Sequence, residues 1–520
     1  METELLLGVD IGTSESKGVL VDLAGRPVAM EIAKHGVETP HPGWFEQDPE
    51  EIWWGDFIHI TKALIDTAGV LPAQIVCVAV SGLGQALAPM DLHANPVRPR
   101  AILYGIDTRA SAEIQELNAT LGYEHIFEVT ANVLTSQAVG PKLLWLKKNE
   151  PEVYARATMF TTTSSYLVAK LTGNFCLDHH QACFWVPLYD FHRLRWHEEF
   201  CSGTVPIEHL PALMWPTDIA GRVTAASARV TGLRQGTPVT AGGGDAFAEM
   251  ISAGVVRESS VMVMYGSTAA VYMQAPSPVA DKRLWNYHSY RPGLDGVAAC
   301  TSTSGALTQW FRDEISRDLL AEEQGGGPSA YSRLVEEAAA VPAGADGVIV
   351  LPYFSGERSP IFDPDARGVI FGLTLTHRRA HLYRAVLEGI GYSVRHILDV
   401  MRANDLAPDQ VVAIGGGTKN RVWVQAISDI CNVAQQVPSI TIGAAYGDAL
   451  LAAVAIGALS SVDAATKWVS YEQVVEPQSA TRAVYARGYG TYRELYERTK
   501  ELMHSMNTML PEGDVTPPPR

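Results

Sequence analysis

The chain lacks the features that would place it in several large classes. None of its six cysteines stands at CxxC spacing, which removes the common zinc signature, and their scatter fits reduced, buried thiols better than a disulfide framework. No apolar run is long enough to cross a bilayer. The opening METELLLGVDIG has neither the basic segment nor the long apolar stretch of a secretory signal, so a cytoplasmic setting is expected. Basic residues are outnumbered as well: 40 Lys and Arg against 57 Asp and Glu give a formal charge of -17, which opposes binding to phosphate backbones and anionic membrane surfaces. Neither nucleic acid nor membrane is an expected partner.

What is present is an ordinary globular composition, 47% apolar and 19% charged. At 520 residues it exceeds what one core usually supports, so two domains are expected, with ligands held in a cleft. Strand and helix patterns alternate, which implies an α/β architecture. LLLGVDI, the turn GTSES and KGVLVDL read as a hairpin that runs on to Ala24-Gly25. The pattern returns at VMVMYGSTAAVYM, where Gly266-Ser267-Thr268 stand as Gly12-Thr13-Ser14 did. Two matching phosphate-sized turns suggest two related domains, the first over 1–255 and the second over 256–503. The segment 504–520 is Pro-rich and polar and is expected to be disordered. PKLLWLKKNEPEVYARA, GALTQWFRDEI, RRAHLYRAVLEGIGYSVRHILDVMRAN and NRVWVQAISDICN read as helices, QIVCVAVSG and GVIVLPYF as strands, and residues 325–327 as a mobile Gly-rich loop.

The chemistry concentrates in a few turns. In PVTAGGGDAFAEMISAGVV an apolar strand meets a three-glycine turn and Asp245 on the first turn of a helix. Glycines there let a polyhydroxylated ligand approach the backbone and the acid. Asp245 is either the base of a phosphotransferase or a helix cap, and the two roles are compatible because the helix dipole favours a charged acid at this end. Phosphoryl transfer from ATP also needs phosphate donors and a metal. In DIGTSESK, Gly12 permits a tight turn, Thr13 and Ser14 can grip phosphate oxygens, Lys17 supplies a cation and Asp10 can hold magnesium, directly or through water; the plain alternative is an ordinary hairpin.

DIGTS, GGGDA, MYGST, GALTQWFRDE, PYFSGERSP and IGGGTKN occur in the order seen in the FGGY family of carbohydrate kinases, which this chain resembles over nearly its whole length. GVIFGLTLTHRRAHLYRAVLE, residues 368–388, looks like the family's second signature, with Gly368, Gly372, His381, Ala385 and Glu388 in register. KLLWLKKN, 142–149, fits the other signature, whereas Gln137 and Val139 depart from it. The resemblance implies two actin-like, ribonuclease H-like domains with a catalytic cleft between them, closing on ATP and magnesium. By similarity Asp245 is the general base and Asp10 organises magnesium. Thr13, Ser14 and Lys17 meet the phosphates from the first domain, as Gly266 and Ser267 do from the second. Gly305 and Gln309 look like nucleotide contacts, and Gly416, Gly417 and Asn420 resemble the turn along adenosine. A homodimer fits the resemblance.

The sugar site departs from better-known relatives. Xylulose kinases usually carry Gln-Met-His-Gly after the third strand and glycerol kinases Arg-Glu, whereas SGLGQALAPMD puts Gly84 and Gln85 there. Gln85 can still exchange hydrogen bonds with hydroxyls, and Gly84 leaves room. Asp107 either contacts the sugar or fixes a loop with Arg109. His179 and His180 read as packing rather than as a metal pair. Glu46, Gln47 and Asp48 are expected to shape a loop near the sugar, with Asp48 capping the helix after Pro49; Trp44 is a pocket wall or core. The expected activity is ATP-dependent phosphorylation of a ketose or polyol, a ketopentose such as xylulose or ribulose first, a glycerol- or erythritol-type polyol second. Two rivals are a non-catalytic sugar- and nucleotide-binding regulator of the same fold and an actin-like ATPase; the presence of both Asp10 and Asp245 argues against the regulator.

Overall fold

The computed structural model describes residues 4–506. The chain forms two compact units. Among the described residues the first comprises 4–257, 276–296 and 442–469, and the second comprises 258–275, 297–441 and 470–506. By packing the division is discontinuous, because two later stretches, 276–296 and 442–469, return to the first unit.

The first unit is built on a mixed sheet ordered Ile219–Arg222, Pro238–Thr240, Ile75–Gly82, Leu5–Ile11, Glu15–Asp22, Pro27–Lys34, with Gly243–Gly244 also pairing with Ile75–Gly82. Leu5–Ile11 is central and is buried on both faces, which is why it reads as a nearly unbroken apolar run. It runs antiparallel to Glu15–Asp22 and parallel to Ile75–Gly82. The outer strand Pro27–Lys34 alternates and leaves Val28, Met30 and Ile32 exposed.

Alternation along a strand sends successive side chains to opposite faces. On one face Val9 and Gly18 stand opposite each other and meet Ile60 and Leu64 of helix Gly55–Ala68. Burying side chains such as these contributes about 1.5–3 kcal/mol each. On the other face Gly8 lies under helix Ala444–Ala455, so close that a Cβ on Gly8 would sit 2.0 Å from the Ala445 carbonyl oxygen. Asp10, two residues on, shares that face.

The second unit repeats the plan. Its sheet includes Asp295–Cys300, Ala269–Ala275, Ser260–Tyr265, Gln410–Ile414, Gln435–Pro438 and Tyr471–Val475 in that order. Ser260–Tyr265 runs antiparallel to Ala269–Ala275 and parallel to Gln410–Ile414, as Leu5–Ile11 does with its own neighbours. Three residues, Gly266 to Thr268, join the hairpin, as Gly12 to Ser14 join the first. Helix Arg379–Ala403 carries the long apolar face read from the sequence, with Arg421–Cys431 packed against it.

Some local expectations change. The expected single helix after Val139 is two, Val139–Asn149 and Pro151–Arg156, because the residue before a proline is driven out of helical geometry and Glu150 stands there at φ -130°. Residues 325–327 form a turn hydrogen-bonded back to helix Arg317–Gln324, with Gly327 N donating to Glu322 O at 2.9 Å. Residues 504–506 continue helix Arg482–Met506; the rest of the expected tail lies outside the described residues. All six cysteines are free and buried. Among the described residues no helix is long and apolar enough to cross a membrane.

Candidate active site

Sheet register assembles the first group of residues. Asp10 stands opposite Ser81, and Ser81 stands opposite Gly243 on the other side. The Ser81 hydroxyl lies 2.8 Å from Asp10 Oδ1 and 2.7 Å from Asp448 Oδ2. Two residues past Gly243, Asp245 opens helix Asp245–Ser252. Gly244 occupies the cap position of that helix, and Asp245 Oδ1 accepts from its neighbour's amide, Ala246 N, at 2.7 Å.

Four carboxyl groups thus share one region of the first unit. Burial, and then Asp245, hold Asp10 above the usual carboxylate range. Burial, and then Glu249, do the same to Asp245. Burial followed by Asp10 pushes Glu249 up to about 7, and raises Asp448 well above its ordinary value. Carboxyls that raise one another in this way are relieved by a proton or by a nearby cation. Asp10 Oδ1 takes the Ser81 contact, while Oδ2 lies on the side of the Gly12 turn, 3.9 Å from where a Gly12 Cβ would be. A hard oxygen in an acidic setting fits magnesium, which keeps most of its waters and takes one or two carboxylates.

The Gly12–Ser14 turn is held from outside. Gly12 N donates to Glu15 O at 3.1 Å, Gln47 Nε2 donates to Thr13 O at 2.9 Å, and Thr13 Oγ1 lies 3.2 Å from the Tyr104 hydroxyl. Ser14 is exposed. Lys17 stands opposite Asp10 across the hairpin and pairs with Glu15 at 2.8 Å. Gln47 is itself fixed by the Trp53 indole N–H at 2.9 Å, and Asp48 caps the next turn by accepting from Glu50 N and Glu51 N.

Gly84 and Gln85 follow directly on the strand that carries Ser81. Gly84 is buried and Gln85 partly so; the Lys142 ammonium donates to the Gln85 carbonyl at 3.2 Å. Asp107 is turned inward onto its own loop. Its side chain has no exposed surface, its oxygens are gripped by Arg109 at 2.7 to 3.0 Å, and Oδ2 also accepts from Phe45 N at 2.7 Å. The Asp107–Arg109 pair fixes its loop. Arg109 further binds Glu46 at 2.8 Å and stacks over Trp44, which packs edge-on against Trp145. His179 Nδ1 meets the Tyr189 hydroxyl at 2.8 Å, and the described residues hold no group of three or more acidic, His or Cys side chains arranged for a metal.

The second unit gathers its glycines around Tyr265. Gly305 N donates to Gly266 O at 2.8 Å and Ser304 N to Ser267 O at 2.9 Å, joining the start of helix Gly305–Trp310 to the hairpin turn. A Cβ on Gly305 would lie 2.6 Å from Gly266 O, and one on Gly417 would lie 2.8 Å from Tyr265 Cβ. Gly416 faces open space. Asn420 caps helix Arg421–Cys431, accepting from Trp423 N at 3.1 Å. Gln309 is half-buried on helix Gly305–Trp310.

Sequence reasoning missed Ser81, Glu249 and Asp448. Asp448 had a visible signal, a lone carboxylate in the otherwise apolar run GAAYGDALLAA, but the stretch was assigned to the other domain.

Residues 5–252 match the N-terminal domain, and residues 261–456 the C-terminal domain, of the FGGY family of carbohydrate kinases. A xylulose kinase of Lactococcus lactis is 30% identical over 516 residues, covering 98% of this chain and 99% of that protein. A xylulose kinase of Escherichia coli is 31% identical over 515 residues, covering 96% and 100%. The crystal structure of a xylulose kinase from Rhodospirillum rubrum superposes with a TM-score of 0.88 at 29% identity, covering 96% of this chain and all of that one. Two α/β domains of this kind, matched by these relatives over nearly the whole chain, define a sugar-phosphorylating enzyme that uses ATP. The chain belongs to the FGGY family of carbohydrate kinases.

Proposed function

We propose that the enzyme phosphorylates a ketopentose, xylulose first among them, at a primary hydroxyl. The names of its full-length relatives support that substrate. The observation that carries the chemistry is the setting of Asp245: a buried carboxyl at the start of a helix, accepting from the adjacent amide and near enough to Asp10, the acid that Ser81 contacts, to raise it. In this reading Asp245 accepts the proton of the sugar hydroxyl, whose oxygen attacks the γ-phosphorus while the bond to the ADP oxygen breaks. Asp10 would hold magnesium, directly or through water, and the ion would neutralise charge on the transferring phosphoryl group. Thr13, Ser14 and Lys17 offer phosphate contacts from the first unit. Gly266, Ser267, Gly305 and Gln309 offer nucleotide contacts from the second, and Gly416, Gly417 and Asn420 lie along the nucleoside. Gln85 and Gly84 face the sugar, although Gly84 leaves less room than expected, since a Cβ there would lie 3.2 Å from Gln181 Cγ; Asp107 shapes their surroundings through Arg109.

ATP consumption with magnesium across ketopentoses, ketohexoses and short polyols tests the reading, with Asp245→Asn alongside. Selective turnover of xylulose is expected, reduced about 10² to 10⁴-fold in the variant. A variant retaining more than a tenth of the wild-type rate removes Asp245 from the base role, and sugar-independent hydrolysis favours an ATPase.

A further inference from the structure

Two hydrogen-bond acceptors belong to side chains packed against Gly244, the residue before Asp245, in a segment whose sequence suggested packing alone. Asp178 caps the one-turn helix His179–Ala182, its Oδ1 accepting from Gln181 N at 3.1 Å. Its Oδ2 accepts from Gln181 Nε2, which also donates to Ser164 Oγ at 2.8 Å. Once ionised Asp178 only accepts, so the amide nitrogen faces it; burial, which pushes the carboxyl up to about 7, places that form above neutrality. That fixes the orientation of the amide. Gln181 Oε1 is left without a partner in a residue only 1% exposed. It is turned toward Gly84, where a Cβ would lie 3.3 Å from it.

His180 is oriented by the same logic. Its Nδ1 lies 3.0 Å from the His288 carbonyl, which only accepts, so Nδ1 carries the proton. Burial drops the ring's pKa to about 3, and Nε2 of the neutral imidazole is an acceptor. The ring is packed against Phe247 and Tyr287. A Cβ on Gly244, the residue before Asp245, would lie 3.9 Å from His180 Nε2 and 3.6 Å from Gln181 Cγ. Gly244 in turn pairs with Gly82, two residues before Gly84. The two acceptors therefore lie against Gly84 and Gly244, the residues that precede Gln85 and the candidate base.

We propose that Gln181 Oε1 and His180 Nε2 each accept a hydrogen bond from a sugar hydroxyl other than the one phosphorylated, and so set the enzyme's demand for a polyhydroxylated substrate. The inference rests on the reading of Asp245 as the base. An acceptor held this rigidly in a buried place stays unpaired when an analogue lacks the matching hydroxyl, and sites built so reject such analogues strongly. This also accounts for an uncharged Gln85: the polar handle is supplied from a different segment.

The test compares kcat/KM for D-xylulose with that for its single-deoxy analogues that keep the phosphorylated hydroxyl, in wild type, Gln181→Leu and His180→Phe. Wild type is expected to prefer xylulose by about 10²-fold or more over at least two analogues. Each variant is expected to lose that preference, to below about tenfold, for one analogue only, with the KM for ATP unchanged. Equal losses for xylulose and every analogue would mean that the residues act through packing, and would overturn the proposal. Gln181→Met replaces Gln181→Leu if the latter does not fold. If wild type turns over a different sugar, the same comparison is made with that sugar's analogues, so an error in the substrate and an error in this inference are read separately.

Discussion

Ser81 Oγ stands 2.7 Å from Asp448 Oδ2, and neither side chain has any exposed surface. The same hydroxyl is 2.8 Å from Asp10 Oδ1. A hydroxyl has one proton to give, so of two carboxyl groups in reach one has to bring its own. Asp448, wholly buried and raised well above the ordinary range first by burial and then by Asp10, is the one expected to be neutral.

Asp448→Asn should therefore keep the fold, because an amide N–H can donate to Ser81 where the acid O–H did. A carboxyl raised in the folded state binds its proton more tightly there than in the unfolded chain, so its contribution to stability is lost as pH rises from the ordinary carboxylate range upward. The variant lacks this loss. Its melting temperature is expected to exceed wild type by about 2–4 °C at pH 8 and to converge with it toward pH 4. A variant less stable than wild type at pH 8 would show that Asp448 is ionised.

The base needs its ionised form, and burial holds Asp245 near 6. The rate kcat/KM for the sugar should fall as pH drops through about 6, a limb well above that of an ordinary aspartate. Asp245→Asn should flatten this limb as well as lower the rate. An acid limb unchanged in the variant would assign it to another group.

Asp107→Ala leaves the wholly buried Arg109 guanidinium with Glu46 as its remaining carboxylate partner. Breaking a buried pair on one side costs about 3–5 kcal/mol. A clear fall in melting temperature is expected, with the KM for sugar within about threefold of wild type. A stable protein with a sugar KM raised a hundredfold would return Asp107 to the substrate.

Gly305→Ala places a methyl carbon 2.6 Å from the Gly266 carbonyl oxygen, closer than any real contact, so one of the two backbones has to move. The KM for ATP is expected to rise about tenfold with the sugar KM unchanged. Parallel changes in both would mean that the contact supports the fold rather than the nucleotide turns.

Most elements were legible because their signals are local. LLLGVDI is apolar throughout since both of its faces are covered, and NRVWVQAISDICN shows helical spacing since one of its faces is. The two hairpin turns were readable as a pair for the same reason. What could not be read is which segment covers which face. Nothing local says that Asp448 comes under Asp10, a meeting set by Gly8 letting a helix from beyond residue 440 sit on the strand. Asp107 was ambiguous because an acid beside an arginine looks alike whether or not a third group, here Phe45 N, takes its last oxygen. The acceptor at Gln181 was hidden because its freedom depends on where Asp178 holds the other end of the amide.

The return of residues 442–469 to the first unit has a consequence for the timing of synthesis. Strand Leu5–Ile11 is among the earliest parts of the chain to leave the ribosome, yet one of its faces is covered by helix Ala444–Ala455. At about 5–20 residues per second, the roughly two hundred residues between the end of the first stretch and that helix take some 10–40 s to make. For that interval the nascent first unit has an uncovered apolar face, and a ribosome stalled short of residue 455 would hold a chain that needs a chaperone rather than a folded half-enzyme.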